Sequence, residues 1–141
     1  MQRRHRIRPR AFTLIEFIVV MTIIGIMAAL IVPRVFFRVG QAKQAVCRQK
    51  IAVLESKIME FQADCGRFPT AQEGLQALLQ APPDVADRWP RAYVKDKDIV
   101  DPWGVEFKYI YPGQKSDFDI VTYGADGQEG GEGENADIGN W

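Results

Sequence analysis

The stretch "RAFTLIEFIVVMTIIGIMAALIVPR", residues 10–34, decides how the rest of the chain is read. From Phe12 to Pro33 it holds 22 residues with a single charge, Glu16, and no further charge before Arg34. At 1.5 Å per residue a helix over that run spans roughly 33 Å, enough to cross the hydrocarbon core of a bilayer. A secretory signal peptide is the competing reading, since a basic segment precedes the run. Two features weigh against it: the run is longer than a usual signal core, and "IVPRVFF" (31–37) offers no small-x-small cleavage site. The span is therefore read as retained. A carboxylate inside such a span costs on the order of 2.5–3.5 kcal/mol at mid-bilayer and less near an end, so Glu16 calls for a cation. Arg10 is one candidate. A position at the membrane interface is another solution. A third arises if the chain is cut before Phe12, because the new α-amino group would place a positive charge at the start of the helix.

Charge is unevenly distributed. Arg3, Arg4, Arg6, Arg8 and Arg10 precede Phe12, which leaves 13 basic against 18 acidic residues in the remainder of the 141-residue chain. A short basic arm on an acidic body argues against nucleic-acid binding and for membrane orientation with the arginines on the cytoplasmic side. The one histidine, His5, lies in that arm, and Cys47 and Cys65 form no C-x-x-C pair, so zinc sites and histidine-based triads are improbable in the body.

Beyond Arg34 the pattern becomes one-sided. Cys47, Ile51, Leu54, Ile58, Phe61 and Cys65 recur at alternating spacings of four and three, which is one stripe of a helix. Gly66 and Pro69 mark its end. A single helix from Phe12 to about Cys65 is expected, apolar all round in its first half and amphipathic in its second. Gly25 and Pro33 weaken the helix internally, and a kink is the direct expectation. Eighteen helical positions separate the cysteines by roughly 27 Å, too far for an intrachain bridge, so they read first as small buried residues. A bridge between chains, or one made with Cys65 in a loop, stays open.

"PTAQEGLQALLQAPP" (69–83) predicts a short second helix, with Thr70 and Glu73 in capping-box spacing. "DPWG" is a turn, "VEFKYIY" alternates with Val105, Phe107, Tyr109 and Tyr111 on one face, and "DFDIVTY" reads as the returning strand. Two or three antiparallel strands on the long helix make an α+β head. The end, "GADGQEGGEGENADIGNW" (124–141), holds six glycines and five carboxylates, six with Asp119 in the preceding strand. Composition alone gives a disordered acidic tail. The alternative is a hard-cation loop in which Asp119 and Asp126 converge and glycine carbonyls complete the shell.

"AFTLIEFIVVMTIIGIMAALIVP" (11–33) resembles the N-terminal segment shared by type IV pilins and type II secretion pseudopilins. The resemblance implies cleavage by a prepilin peptidase between Ala11 and Phe12 and methylation of the new amine, giving N-methylphenylalanine. Glu16 becomes the fifth mature residue and Pro33 the twenty-second. Ala11 stands where the family usually has Gly. "DCGRFPTAQEGLQALL", "DPWGVEFKYIYPG" and "FDIVTYGADGQEGGEGENADIGNW" further resemble the head of the major pseudopilins of type II secretion, so the similarity runs from Phe12 to Trp141. It implies a leader at 1–11, a transmembrane and filament-core helix at 12–33, and a periplasmic head at 34–141. It also implies a long helix packed on a small antiparallel sheet, with a C-terminal loop that binds a structural calcium ion. The matching aspartates are Asp119 and Asp126, with Asp117 nearby, and Gln128 stands where some members carry a further aspartate.

The expected function is a structural subunit held in the inner membrane by a single span, which polymerises with itself and with other pseudopilins on an inner-membrane secretion platform into a periplasmic pseudopilus that drives export of folded proteins across the outer membrane. Phe12, Glu16 and Pro33 are the expected assembly residues. A minor pseudopilin or type IV pilin is the near alternative, although no cysteine follows Cys65 to close a pilin-type C-terminal disulfide. A membrane-tethered hydrolase is the distant one, and Ser56 and Ser116 are the only serines it would have. No catalytic constellation supports an enzyme.

Overall fold

Thr13 opens the long helix: its hydroxyl oxygen accepts a hydrogen bond from the Glu16 amide at 3.3 Å, the N-cap bond that a T-x-x-E sequence favours. Helix α1 then runs Leu14–Cys65 without interruption, 52 residues through both Gly25 and Pro33. The computed structural model describes residues 12–141, the side chains of 32–37 excepted. The expected leader, with Ala11 and its arginines, and the side chain of Pro33 therefore lie outside the described residues. The helix stops at Gly66, whose φ of 80° is open to glycine and unfavourable for residues with a Cβ. Its amide still closes a 2.9 Å bond to the Gln62 carbonyl.

The chain divides at Arg38 into two units, each described by itself. In the first, large apolar side chains from Phe12 to Ile31 are exposed. Leu14–Ile31 is long and apolar enough to cross a membrane. Burying one such side chain contributes about 1.5–3 kcal/mol, so this surface is built to be covered by lipid or by other helices.

In the second unit, Val39–Trp141, the amphipathic half of α1 presents the expected stripe. Cys47, Ile51, Leu54, Ile58, Phe61 and Cys65 are at most 2% exposed and form one core with Phe107, Phe118, Ile120 and Ile138 from the sheet side and Leu75, Leu78 and Val85 from the connection. Phe61 is central, meeting the Tyr93 ring edge-on at 5.7 Å between centroids. Both cysteines are free and buried. Burial, and after it the charge of Asp101, pushes the Cys47 thiol up to about 11.

The sheet is β1 (Lys108–Ile110), β2 (Asp119–Thr122) and β3 (Ile138–Gly139), antiparallel in that order. Lys108 pairs with Val121, Ile110 with Asp119, and Thr122 with Ile138. All four residues of the central strand are buried. The expected face is only partly realised: Phe107 is in the core and Tyr109 packs against it, while Val105 is exposed. Val105 still belongs to the turn, where the Asp101 carboxylate accepts from the Trp103 and Val105 amides, each at 2.9 Å.

Two expectations fail here. The second helix is a five-residue 3-10 turn, Gly74–Leu78. The capping box forms, with the Thr70 amide donating to Glu73 at 2.8 Å and the Glu73 amide donating back at 3.3 Å. Gly74 then takes φ 56°, outside the α basin, so the cap does not propagate into a full helix. While keeping the Thr70 bond, Glu73 is also the partner of Arg67, whose guanidinium binds it through two 2.8 Å bonds and spans to Asp84 through two more. The tail, which composition alone reads as disordered, is folded: it carries a short 3-10 turn, Gly133–Asn135, and returns as β3. Ile138 is the reason, an apolar residue buried beside β2 that anchors the glycine-rich segment at its far end.

Candidate functional site

The first site is the start of α1. Phe12 is 78% exposed. Glu16 stands in the first helical turn, four residues on, with its backbone held by Thr13. A carboxylate there meets the positive end of the helix dipole, which favours it by a few tenths of a kcal/mol before any partner is counted. The sequence signal for this capping role, Thr13-x-x-Glu16, is legible once the helix start is known.

The second is the acidic loop after β2. Asp119, 2% exposed, closes the β1–β2 turn: its Oδ2 accepts from the Gln114 amide at 2.7 Å and the Lys115 amide at 3.2 Å, and its Oδ1 from the Ser116 amide at 3.1 Å. Asp126 is exposed, and its Oδ1 accepts from the Gln128 amide at 3.1 Å. The two expected ligands are thus engaged separately. Sequence reasoning missed Asp137, in the loop's last turn before β3. Its Oδ2 accepts from the Gly130 amide at 2.9 Å, while its Oδ1 is buried with no donor. A buried carboxylate oxygen without a partner is costly and points to something that is to meet it.

A cavity of about 320 Å³ opens beside this loop, lined among others by Asp119, Glu129, Asp137, Lys108, Lys115 and Trp141. The two lysines turn to aromatic rings. Lys115 Nζ lies 4.6 Å from the Trp141 centroid, and Lys108 Nζ donates to the Tyr123 hydroxyl at 3.2 Å. Among the described residues no ion pair reaches the carboxylates of residues 119–137. Among the same residues no three acidic, histidine or cysteine side chains converge closely enough to hold an ion. The donor types are those a hard cation takes, carboxylate oxygens and a glycine-rich backbone, with Lys108 and Lys115 on the same cavity wall but in no ion pair with them among the described residues.

Comparison with known proteins covers both sites. Residues 6–32 match the prokaryotic N-terminal methylation motif, and residues 34–141 match the type II secretion system protein G family. The chain is 43% identical to the type II secretion system core protein G of Pseudomonas aeruginosa, over 100% of this chain and 99% of the relative. It is 42% identical to that of Vibrio cholerae, over 95% and 92%. A crystal structure of the major pseudopilin of the type 2 secretion system of enterohaemorrhagic Escherichia coli superimposes with a TM-score of 0.59 at 31% identity, covering 72% of this chain and 88% of that one. With a methylation motif on an apolar helix, a head of the matching fold and relatives similar along its whole length, this chain belongs to the protein G family of the type II secretion system, the major pseudopilins.

Proposed function

We propose that prepilin peptidase cuts this chain between Ala11 and Phe12, that the head faces the periplasm, and that the processed subunits polymerise with one another and with other pseudopilins on the inner-membrane platform to push folded proteins outward. The observation that carries this reading is the exposed apolar surface from Phe12 to Ile31, on the same helix that forms the core of the head. Neighbouring helices in a filament bury that surface, as lipid does before assembly. The amine of Phe12 on one subunit then neutralises Glu16 on the next, which removes a charge from an apolar environment and sets the axial register. On assembly the helix, continuous here through Gly25 and Pro33, would stretch at those two residues, as the resemblance to filament-forming relatives implies. The subunit's role is structural and uses no catalytic group.

The test is Glu16→Ala and Glu16→Gln in otherwise intact chains. Both are expected to insert and keep a folded head, yet to lose filament assembly and secretion. Normal filaments from either variant would refute the pairing.

We further propose that the acidic loop takes a calcium ion, held by Asp119 and Asp126 with backbone carbonyls, and with the unpaired Asp137 Oδ1 as a further oxygen. The ion would pair directly with carboxylates that Lys108 and Lys115, on the same cavity wall, do not engage in ion pairs. Melting of residues 35–141 with calcium and with excess chelator checks this. At a hundredfold excess over the dissociation constant, binding to the folded state alone adds about 2.7 kcal/mol. No calcium-dependent shift, or a shift unchanged in Asp119→Ala and Asp126→Ala, would sink the proposal.

A further inference from the structure

Two glycines interrupt the interior of α1, and they differ in what surrounds them. A Cβ built on Gly25 meets nothing within 4 Å, whereas one built on Gly40 falls inside the side chain of Glu134. Gly40 is buried, although it sits on a helix interior where glycine is a poor choice. One turn further on, Gln44 Nε2 donates to the carbonyl of Gly133. Both contacts reach adjacent residues of the C-terminal loop. That stretch is held from its other side as well: the Ala125 amide donates to the Glu134 carbonyl at 2.9 Å, and a Cβ on Gly124 would stand 2.6 Å from that carbonyl oxygen. The turn Gly133–Asn135 is therefore clasped between α1 and residues 124–125.

We propose that Gly40 and Gln44 form a seat for this turn and act as positioning residues for the acidic loop, holding residues 124–137 in the arrangement that a divalent cation completes. The cation part of this inference rests on the calcium reading above, and the seat does not. The bare Cα of Gly40 lets the Glu134 side chain lie on the helix. Gln44 fixes the adjacent backbone by its carbonyl. Fixing residues 133 and 134 on the helix pins the loop three residues before Asp137 and shortens the free span that carries Asp126. The seat also ties the loop's order to α1 at the point where the head begins, so a loosened loop uncovers the helix there.

The test is hydrogen exchange of the full chain in detergent micelles, with calcium chloride titrated in, for wild type, Gly40→Ala, Gly40→Leu and Gln44→Ala. The Glu134 side chain is flexible enough to swing aside for one methyl group, so Gly40→Ala is expected to have a small effect. A leucine needs the turn itself to leave. In Gly40→Leu and Gln44→Ala, amides of residues 125–137 are expected to exchange at least about tenfold faster, and calcium to bind at least about tenfold more weakly, while α1 amides at 51–61 keep their protection. Unchanged loop exchange in both variants overturns the seat, and so does a loosening that spreads equally to the core helix. Faster loop exchange with unchanged calcium affinity keeps the seat and overturns its positioning role. If wild type takes up no calcium while the two variants still loosen the loop, the seat stands and the calcium reading fails.

Discussion

Asp101→Ala is the perturbation whose cost the structure lets one work out most directly. Asp101 is 5% exposed and accepts three hydrogen bonds: two from the Trp103 and Val105 amides at 2.9 Å, and one from the Thr122 hydroxyl at 2.6 Å. Through the last of these it joins the turn before β1 to the central strand. Truncation strands all three donors. The two amides lie in a part-buried turn and regain some water, so each counts about 1 kcal/mol, while the fully buried hydroxyl counts about 1–2 kcal/mol, for a total of about 3–4 kcal/mol. Thr122→Val removes one donor and leaves a buried carboxylate oxygen short of a partner, at about 1.5–3 kcal/mol. Because the two changes share one bond, the double variant is expected to be less destabilised than the sum of the singles by about 1–2 kcal/mol. Urea unfolding of residues 35–141 followed by circular dichroism measures all three. Additive losses, or an Asp101→Ala loss under about 1 kcal/mol, would refute the argument that this carboxylate holds the turn to the sheet.

Acid stability tests the Arg67 brace. Hydrogen bonds from Arg67 hold the carboxyls of Glu73 and Asp84 below the usual carboxylate range. A carboxyl with a depressed folded pKa contributes stability that is fully present above its unfolded value, about 4.3 for Glu and 3.9 for Asp, and that disappears as pH falls through the folded value. Melting temperature should therefore drop more steeply below about pH 4 in wild type than in Arg67→Met, and parallel acid limbs would refute the linkage. For the thiols, burial raises Cys65 and pushes Cys47 up to about 11, so at about pH 8 neither should react with a disulfide reagent until denaturant is added. Prompt modification of the folded chain would show that the stripe is open.

Much of the architecture is legible in local sequence patterns. The apolar run, the four-and-three stripe and the Gly66 stop each depend on neighbours within one or two helical turns. They put the start of α1 within two residues of Leu14 and name the helix's share of the core. The turn at "DPWG" and the strand after it are legible for the same reason. Asp119 stands out in the sequence as a carboxylate within an apolar strand, but the partners it has are amides of the preceding turn. The N-terminal resemblance names Phe12 and Glu16 through sequence alone, and the helix start adds the Thr13 cap that holds Glu16's backbone.

What the sequence could not say concerns residues far apart in the chain. A capping box at Thr70 and Glu73 signals a helix, and the box forms, yet a left-handed Gly74 cuts the helix to a short turn that Arg67 braces, because one backbone dihedral outweighs local propensity. A glycine-rich acidic segment looks disordered, yet one buried isoleucine, Ile138, and a clasp at Gly40 and Gln44 fold it onto the head. Nothing in the spacing of 40, 44, 133 and 134 announces that contact, since it depends on where the chain returns after the sheet is built. The orphaned oxygen of Asp137 is equally invisible in sequence, because burial is a property of the whole packed unit. Local periodicity determined the helix and an apolar segment long enough to cross a membrane, and the motifs at its start and in the head carried the resemblance to the family; tertiary packing alone decided how the acidic loop is held, because Gln44 and the Gly133 carbonyl it binds lie 89 residues apart along the chain.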